Sequence, residues 1–495
     1  MLSSYFFDNG VLRSVITSPS SFLVLGRKGA GKTAVFRYLN ENTSEFIDSS
    51  DILVPLSFED YNWNIHSLLT NENKAESMLY KQSWRFMILV ESIKAYKAWF
   101  DKERKAVPKR IALANKLLEK LFDSPVPSVY QIFGRKLLSL SSLKLPGGGL
   151  DLEEGGIDSL NVEAGEISFE QIQGDKTLRQ HLSENIENLI SHLDRALSEA
   201  NDTWPRVFVC FDRVDEAWDE VSYESSRKVI AGLVSASDAI NSQYKGKLRP
   251  LVFLREDIFD VLSINDANKL REDCGALLHW NKTSLMSLIL RRVNYYGKLH
   301  EQQPIPELDA MFDKHAMRQG AKPSSYLLRR TMMRPRDLIS LLTRTVETMR
   351  EKADDPFSDQ QVSYEKLECD AIYGAEPGYS EWLKQELLDE WKVQRPVITH
   401  LFHAIQNNGS TNFTQAKFAE SLQKLVGEIS TAEMLTHLRF LFDNSVIGFK
   451  LGASTEWRFK CFYPSQGFLE SEEYRVHEGL VRALNLKEAR ERNEN

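Results

Sequence analysis

The sequence has few cysteines, no signal-peptide pattern and no apolar run long enough to cross a membrane. Its four cysteines, at positions 210, 274, 369 and 461, stand far apart and form no C-x-x-C pair. Neither a zinc knuckle nor a disulfide framework is therefore expected. No stretch approaches the roughly 18 apolar residues of a membrane span, and the first residues lack the basic and apolar regions of a signal peptide. We expect a cytoplasmic protein without a membrane partner.

Positive charge is scarce relative to negative charge. The 62 lysines and arginines are outnumbered by 70 aspartates and glutamates, which gives a net charge of −8. This balance excludes a surface that is basic throughout, as in a general nucleic-acid coat, but it leaves room for a local basic patch. Hydrophobic residues make up 42% of the 495 residues, which is ordinary for a globular protein. A chain of this length is expected to form about three domains.

Short apolar runs that end in charged residues or glycine recur over residues 20–280. Such runs are typical of buried parallel strands. They lie at 22–25, 52–56, 207–211, 251–254 and 276–278. Helical patterns separate them, for example the apolar residues at spacings of three and four from Leu178 to Leu197. This alternation predicts an α/β fold with a parallel sheet.

A segment from about residue 62 to 175 interrupts this alternation. Residues 78–104 and 107–122 predict helices, whereas apolar and polar residues tend to alternate between 138 and 169, around a triple glycine at 147–149. This second half is either a small β-hairpin or a flexible linker of glycine and serine, and the residues leave both readings open.

The C-terminal half is mainly helical. The pattern after residue 280 predicts a helical lid over 281–365, next to a core over 1–280. Helical stretches at 397–405, 415–425 and 432–443 are followed by strand-like runs at 446–450 and 457–462. Three helices and a hairpin predict a C-terminal winged-helix domain over 379–495.

Residues 26–33 fit the phosphate-loop motif G-x-x-x-x-G-K-[ST] at every fixed position. An apolar strand precedes the motif and an amphipathic helix follows it, which is the context that the motif requires. Main-chain amides of such a loop surround phosphate oxygens, Lys32 is expected to reach the β- and γ-phosphates, and the Thr33 hydroxyl is expected to bind Mg²⁺. The predicted nucleotide contacts are Gly26, Arg27, Lys28, Gly29, Ala30, Gly31, Lys32, Thr33 and Ala34.

A carboxylate follows the apolar strand at 207–211, at the strand end where open α/β sheets bind ligands. We predict that this residue, Asp212, binds Mg²⁺ together with Thr33. The next residue, Arg213, stands where P-loop ATPases usually carry the acid that activates water, and an arginine cannot act as a base. Either Asp215 or Glu216 polarises the attacking water, or hydrolysis is slow and the protein chiefly senses which nucleotide is bound.

Arg255 ends the apolar strand at 251–254. In additional-strand P-loop ATPases a polar or basic sensor of the γ-phosphate stands at this place, and Arg255 is the candidate here. The alternative is a surface salt bridge between Arg255 and Glu256 or Asp257.

A second basic candidate lies in the lid, where Arg334-Pro335-Arg336-Asp337 opens a helix. Proline suits the first turn of a helix, and an arginine beside it could reach back to the phosphates. We favour Arg336 over Arg334 for this contact. The alternative is a basic helix start that pairs with Asp337.

The expected nucleotide is ATP. Guanine-binding P-loop proteins read the base with N-K-x-D, and each of the four Asn-Lys pairs in this sequence lacks that aspartate. The run from Asp212 to Asp215 also lacks the glycine of a GTPase switch, and no Ser-Gly-Gly-Gln run suggests a transporter ATPase. These exclusions leave the switch and remodelling ATPases, with ATP and Mg²⁺ as cofactors.

The phosphate loop, the run from Asp212 to Glu216, Arg255, Arg336 and the terminal winged helix together resemble bacterial P-loop ATPases on the border of the AAA+ and STAND groups. The segment around Arg336 is similar to the sensor-2 segment of origin-recognition and KAP-type ATPases, and Arg255 is similar to the sensor-1 arginine of STAND switches. The resemblance covers about residues 15–350 and, more loosely, the winged helix. It implies an ATP-hydrolysing molecular switch, with a protein partner or as a homo-oligomer, of a kind found in bacterial antiphage defence and mobile-element neighbourhoods.

The predicted winged helix could bind DNA or protein. Its third helix offers two acids and one arginine to a partner, which is poor for binding a duplex. The residues expected on its exposed face are Glu433, Thr436, His437, Arg439 and Asp443. Lys450, Arg458 and Lys460 on the wing leave a weak phosphate contact open. We favour a protein-binding or autoinhibitory module, and the alternative is an initiator-like protein that binds DNA in an ATP-dependent way.

Overall fold

A five-stranded parallel sheet forms the centre of the N-terminal half. The computed structural model describes residues 2–59, 66, 76–122, 138, 140–142, 169–217, 223–354, 365–452 and 454–488. The strands are β1 Leu23–Gly26, β2 Ile52–Ser57, β3 Val207–Asp212, β4 Leu248–Arg255 and β5 Gly275–Leu277. Their order is β2-β3-β4-β1-β5, and all neighbours are parallel. The prediction of a P-loop NTPase α/β fold is confirmed by this sheet and by the loop that follows β1.

Eleven described helices accompany the sheet in this half of the chain. They are α1 Leu2–Tyr5, α2 Val11–Thr17, α3 Lys32–Glu41, α4 Thr43–Phe46, α5 Glu76–Lys102, α6 Lys109–Phe122, α7 Phe169–Gly174, α8 Lys176–Leu197, α9 Tyr223–Gln243, α10 Glu256–Val261 and α11 Ala267–Cys274. Alternate residues of a strand point to opposite faces of a sheet. On β3, Val209 and Phe211 pack with α5, α8 and α9, whereas Phe208 and Cys210 pack with α2 and α3. The helices therefore cover both faces.

The first half of the predicted insert is part of this core. Helices α5 and α6 lie where the sequence predicts helices, and α5 packs against α9 on one face of the sheet. The Trp84 indole donates a hydrogen bond to the Val229 carbonyl at 2.8 Å. Described residues 76–122 of the predicted insert thus share the hydrophobic core of the sheet, and the bounds of the insert at about 62–175 remain a prediction. The predicted hairpin or linker between 138 and 169 lies almost wholly outside the described residues.

Among its described residues, the C-terminal half combines seven α-helices with a second, antiparallel sheet. The helices are α12 Lys282–Leu299, α13 Pro323–Arg329, α14 Pro335–Asp354, α15 Cys369–Trp391, α16 Ile398–Asn408, α17 Gln415–Val426 and α18 Thr431–Asp443. The strands are β6 Asn412–Thr414, β7 Ile447–Lys450, β8 Trp457–Arg458 and β9 Glu473–Val476. The sheet order is β6-β9-β7-β8. The three predicted helices (α16 to α18) and the hairpin of β7 and β8 are present, and β9, which the sequence did not predict, joins the hairpin to β6.

One hydrophobic cluster runs through the whole C-terminal half, from Trp280 to Leu486. The long helix α15 begins close to the predicted end of the lid at 365 and packs against α14 of the lid. The lid and the C-terminal segment consequently share a core, and the domain boundaries remain a prediction. None of the described helices is both long and apolar enough to span a membrane.

Candidate functional site

The phosphate loop connects β1 to α3. Gly29 and Gly31 have φ angles of +81° and +101°, a region that glycine enters at little cost and other residues rarely adopt. These two residues turn the chain so that α3 starts directly at Lys32, and the helix N-terminus faces the loop. The ammonium group of Lys32 donates to the Gly26 carbonyl at 3.1 Å. Burial lowers the pKa of Lys32, and the charge of Asp215 opposes that shift.

Thr33 lies in the first turn of α3, which follows β1, and it meets Asp212 at the end of β3. The Thr33 hydroxyl donates to Asp212 Oδ1 at 3.3 Å, while Asp212 Oδ2 is buried and has no hydrogen-bond partner among the described residues. Burial raises the pKa of Asp212 to about 6, and the hydrogen bond from Thr33 opposes that shift. A hydroxyl beside an orphaned carboxylate oxygen is the oxygen donor set that Mg²⁺ takes when phosphates supply its other ligands. The two residues thus fit the predicted ion.

The acidic run after Asp212 is divided by Arg213. This arginine has a φ of +60° and forms ion pairs with Glu59 at 2.7 Å and with Glu216 at 3.4 Å. Glu216 is consequently engaged by its neighbour. Asp215 instead lies close enough to the site for its charge to raise the pKa of Lys32. The charge of Asp215 thus acts on the loop lysine, whereas Glu216 is paired with Arg213.

Arg255 lies at the end of β4, between the strands that carry the loop and Asp212. It is 8% exposed and forms a bidentate ion pair with Asp257. The Nε and Nη2 atoms of Arg255 donate to the two carboxylate oxygens at 3.1 and 2.6 Å. Burial lowers the pKa of Arg255, but the pairing with Asp257 outweighs it and raises the pKa. The alternative salt bridge is therefore present, although it is buried rather than on the surface. Arg255 also donates to the Glu390 carbonyl at 3.4 Å.

The two lid arginines both contact one side of the loop, which is formed by Arg27, Lys28 and Gly29 and is called the outer side below. Arg334, 4% exposed, donates to the Lys28 carbonyl at 2.9 Å, and its Nε and Nη2 atoms have no hydrogen-bond partner among the described residues. The side chain of Arg336 is 48% exposed and pairs with Glu386 at 2.9 Å. A Cβ added to Gly29 would lie 3.1 Å from the Cβ of Arg336, so the lid touches the loop there.

Sequence reasoning missed two acidic residues of α15 at this site. Glu386 pairs with Lys28 at 3.5 Å, and Glu390 pairs with Arg334 at 3.0 Å and with Arg27 at 3.9 Å. The two glutamates are four residues apart on one helix, where like charges destabilise an isolated helix. That spacing was a signal that each glutamate has a basic partner from another element.

A cavity of about 610 Å³ adjoins the outer side of the loop. Its walls come from β1 and β5, from the lid and from the C-terminal segment. Trp280 donates to the Ala30 carbonyl at 2.8 Å, and Arg27 donates to Asn444, which caps α18, at 3.3 Å. The phosphate loop is thus in direct contact with the C-terminal segment, which the sequence did not predict.

Comparison with known proteins found similarity over the lid and over the whole chain. Residues 283–388 match the family described as the FunZ-associated C-terminal helical domain. That stretch begins with α12 and runs through most of α15, past the predicted end of the lid at 365. The chain is 25% identical over 507 aligned residues to the "Putative transposon gamma-delta 80.3 kDa protein" of Escherichia coli strain K12. The alignment covers 98% of this chain and 65% of the relative, so the chain spans about two thirds of that protein's length.

Among solved structures, the chain is similar to that of Cdc6p from Pyrobaculum aerophilum. The alignment covers 96% of this chain and 90% of the other, with 10% sequence identity and a TM-score of 0.31. A score at that level does not establish a common fold. The assignment of the α/β fold rests on the sheet order, the parallel register and the loop after β1.

Proposed function

We propose that this protein binds ATP with Mg²⁺ at the phosphate loop and hydrolyses it slowly as a molecular switch. The observation that carries the proposal is the convergence of Lys32, Thr33 and Asp212 at one end of the sheet, with the Thr33 hydroxyl 3.3 Å from the carboxylate. Lysine and main-chain amides would hold the triphosphate, and the hydroxyl and carboxylate would hold the metal. The metal would neutralise charge that develops on the phosphates.

In this proposal the two predicted sensors and the acid have separate roles. Asp215 orients the attacking water, because Glu216 is held by Arg213. Arg255 stabilises the γ-phosphate from the end of β4, and it must exchange its contact with Asp257 to do so. Arg336 reaches the phosphates from the lid, since its half-exposed side chain is held only by the salt bridge with Glu386 among the described contacts.

Removal of the loop lysine tests the proposal. We expect Lys32→Ala to weaken ATP binding at least about 100-fold, because the variant loses a buried charge-assisted contact with two phosphates. Isothermal titration with Mg²⁺ and ATP measures this loss. Arg37→Ala, an exposed change on the same helix, is the matched control and should bind as the natural chain does. Equal affinity in both variants, or no binding by the natural chain, would defeat the proposal.

We further propose that the C-terminal segment is a winged helix that regulates the core through protein contacts. The observation in favour is the position of α18, whose Phe440 packs on Trp391 of α15 and whose C-cap Asn444 binds Arg27 of the loop. Of the wing cations, Lys450 lies over the Trp457 ring, Arg458 over the Tyr463 ring, and Lys460 donates to the Gln466 carbonyl.

DNA binding with ATP remains the alternative to this regulatory role. A gel-shift titration with duplex DNA at increasing salt, with and without ATP, separates the two. We expect weak binding with a shallow salt slope, because few phosphates would be neutralised. A steep slope that appears only with ATP would favour the DNA-binding alternative.

The setting of this activity is also a proposal. The name of the E. coli relative connects that protein with a transposon, which supports a mobile-element setting for this chain among those that the resemblance implies. The antiphage role, the cytoplasmic location and the homo-oligomer or protein partner remain predictions.

A further inference from the structure

Helix α15 places two carboxylates against the outer side of the phosphate loop. Glu386 and Glu390 are about one helical turn apart and lie on the same face of the helix. Glu386 contacts Lys28 of the loop and Arg336 of the lid, at 3.5 and 2.9 Å. Glu390 contacts Arg27 of the loop and Arg334 of the lid, at 3.9 and 3.0 Å. Each glutamate therefore joins the loop to the lid.

Glu390 is a buried and charged group. Its side chain has no exposed surface. Burial favours the neutral acid, but Arg334, Arg27 and Arg255 outweigh it and lower the pKa of Glu390. One carboxylate oxygen, Oε1, has no hydrogen-bond partner among the described residues. An incompletely satisfied buried charge is costly. An anion with more acceptor oxygens could therefore replace the Glu390 carboxylate beside these arginines.

One of these four cations, Arg336, is also one that the γ-phosphate of a bound triphosphate would attract. Arg255 and Arg336 are the two proposed sensors, and Arg255 donates to the main-chain carbonyl of Glu390 at 3.4 Å. The charge of Glu390 also reaches Lys32 and raises its pKa, against the lowering by burial. A γ-phosphate carries more charge and more acceptor oxygens than a carboxylate. It therefore competes for Arg336 more strongly than the carboxylate of Glu386 does.

Helix α15 also connects the loop to the C-terminal segment. Trp391, the last residue of the helix, packs edge-on against Phe440 of α18, with ring centroids 5.0 Å apart. Arg27, which pairs with Glu390, also binds Asn444 at the end of α18. A shift of the C-terminal turn of α15 would consequently alter the ring contact between α15 and α18 and, through Arg27, the contact between α18 and the loop.

We propose that Glu386 and Glu390 form an acidic latch that occupies the loop and lid cations until a nucleoside triphosphate takes them, and that ATP thereby releases α18 from the core. This inference rests on the proposed ATP site and adds its regulation. The ligand that opens the latch is a triphosphate rather than a diphosphate, because only the γ-phosphate reaches Arg255 and Arg336. The exchange is a population shift driven by differential contacts in the two states.

The test compares affinities for ATP and ADP in the full chain. Isothermal titration with Mg²⁺ is carried out on the natural chain, on Glu386→Gln and on Glu390→Gln. Glu381→Gln is the matched control, because this exposed carboxylate of α15 pairs with Lys384 on the same helix. We expect both latch variants to bind ATP about 5- to 10-fold more tightly and ADP with unchanged affinity, as for a modest coupling between two states. The control should change neither.

A second measurement follows α18 directly by amide hydrogen exchange over residues 431–444. Exchange should rise with ATP in the natural chain, and it should already be raised in the latch variants without nucleotide. If Glu390→Gln does not fold, Glu386→Gln decides alone. No ATP binding by the natural chain would overturn the proposed function. Normal ATP binding with an unchanged or weakened ATP affinity in the latch variants would overturn the latch only.

Discussion

The two sides of the phosphate loop differ in how their polar groups are used. The inner side is the one where Lys32 and Thr33 face Asp212 of β3. These three residues keep unused hydrogen-bonding capacity, including the buried Oδ2 of Asp212. On the outer side, Arg27 and Lys28 are paired with carboxylates of a helix far along the chain. One loop therefore serves two purposes. Its inner side suits a ligand, and its outer side connects parts of the protein whose relative positions a ligand can change.

The outer side should contribute most to stability. Glu390→Ala should lower the free energy of unfolding by about 3 to 5 kcal/mol, because it leaves buried arginines without their counter-charge. Glu386→Ala, whose partner Arg336 is half exposed, should cost less than about 1 kcal/mol. Urea unfolding of the two variants measures the contrast. Equal losses would show that burial does not distinguish the two pairs.

The inner side should instead affect turnover. Asp212→Asn should reduce ATP hydrolysis about 100-fold at saturating Mg²⁺, because the variant loses the charged metal ligand. Steady-state turnover over a Mg²⁺ titration measures this effect. Asp101→Asn, an exposed change on α5, serves as the control. Full activity in the Asp212 variant would remove this residue from the metal site.

The inner side should also make stability depend on pH. The pKa of Asp212 is about 6 in the fold and 3.8 ordinarily, so the folded state holds this proton more tightly than the unfolded chain does. The protein therefore loses stability as the pH rises from about 4 to 6, by about 3 kcal/mol from this group. The unfolding free energy of the natural chain minus that of Asp212→Asn, measured from pH 4 to 7, isolates this contribution. A constant difference over that range would contradict the prediction.

The contact between loop and lid should have the smallest effect. Gly29→Ala and Gly31→Ala both place a side chain at positive φ, which costs about 1 kcal/mol. Only the alanine at 29 meets the Arg336 side chain, because none of the described atoms lies within 4 Å of a Cβ at 31. Gly29→Ala should therefore be the less stable variant, by a fraction of a kcal/mol to about 1 kcal/mol. Thermal unfolding of the pair decides whether the lid rests on the loop in solution.

The sequence predicts features that depend on neighbouring residues better than features that depend on contacts between distant elements. The parallel strands follow from short apolar runs, because strands buried on both faces are apolar throughout. The role of α5 could not be predicted in the same way. Its burial depends on which sheet face lacks a cover, and that is a property of the assembled layers. Strand β9 was missed because its four residues, although they alternate between polar and apolar, form too short a run to signal a strand, and its place between β6 and β7 comes from pairing.

The amino-acid sequence is enough to identify the phosphate loop, because eight consecutive residues between a strand and a helix contain all of its chemistry. It also determined the candidates Asp212, Arg255 and Arg336 from their places at strand and helix ends. The partners that hold these three side chains can be seen in the folded chain and not in the sequence. Arg255 pairs with Asp257, and α15 brings Glu386 and Glu390 to the loop. Charge pairs act over a few ångströms in space, and the spacing of residues along a chain does not record which distant elements meet there.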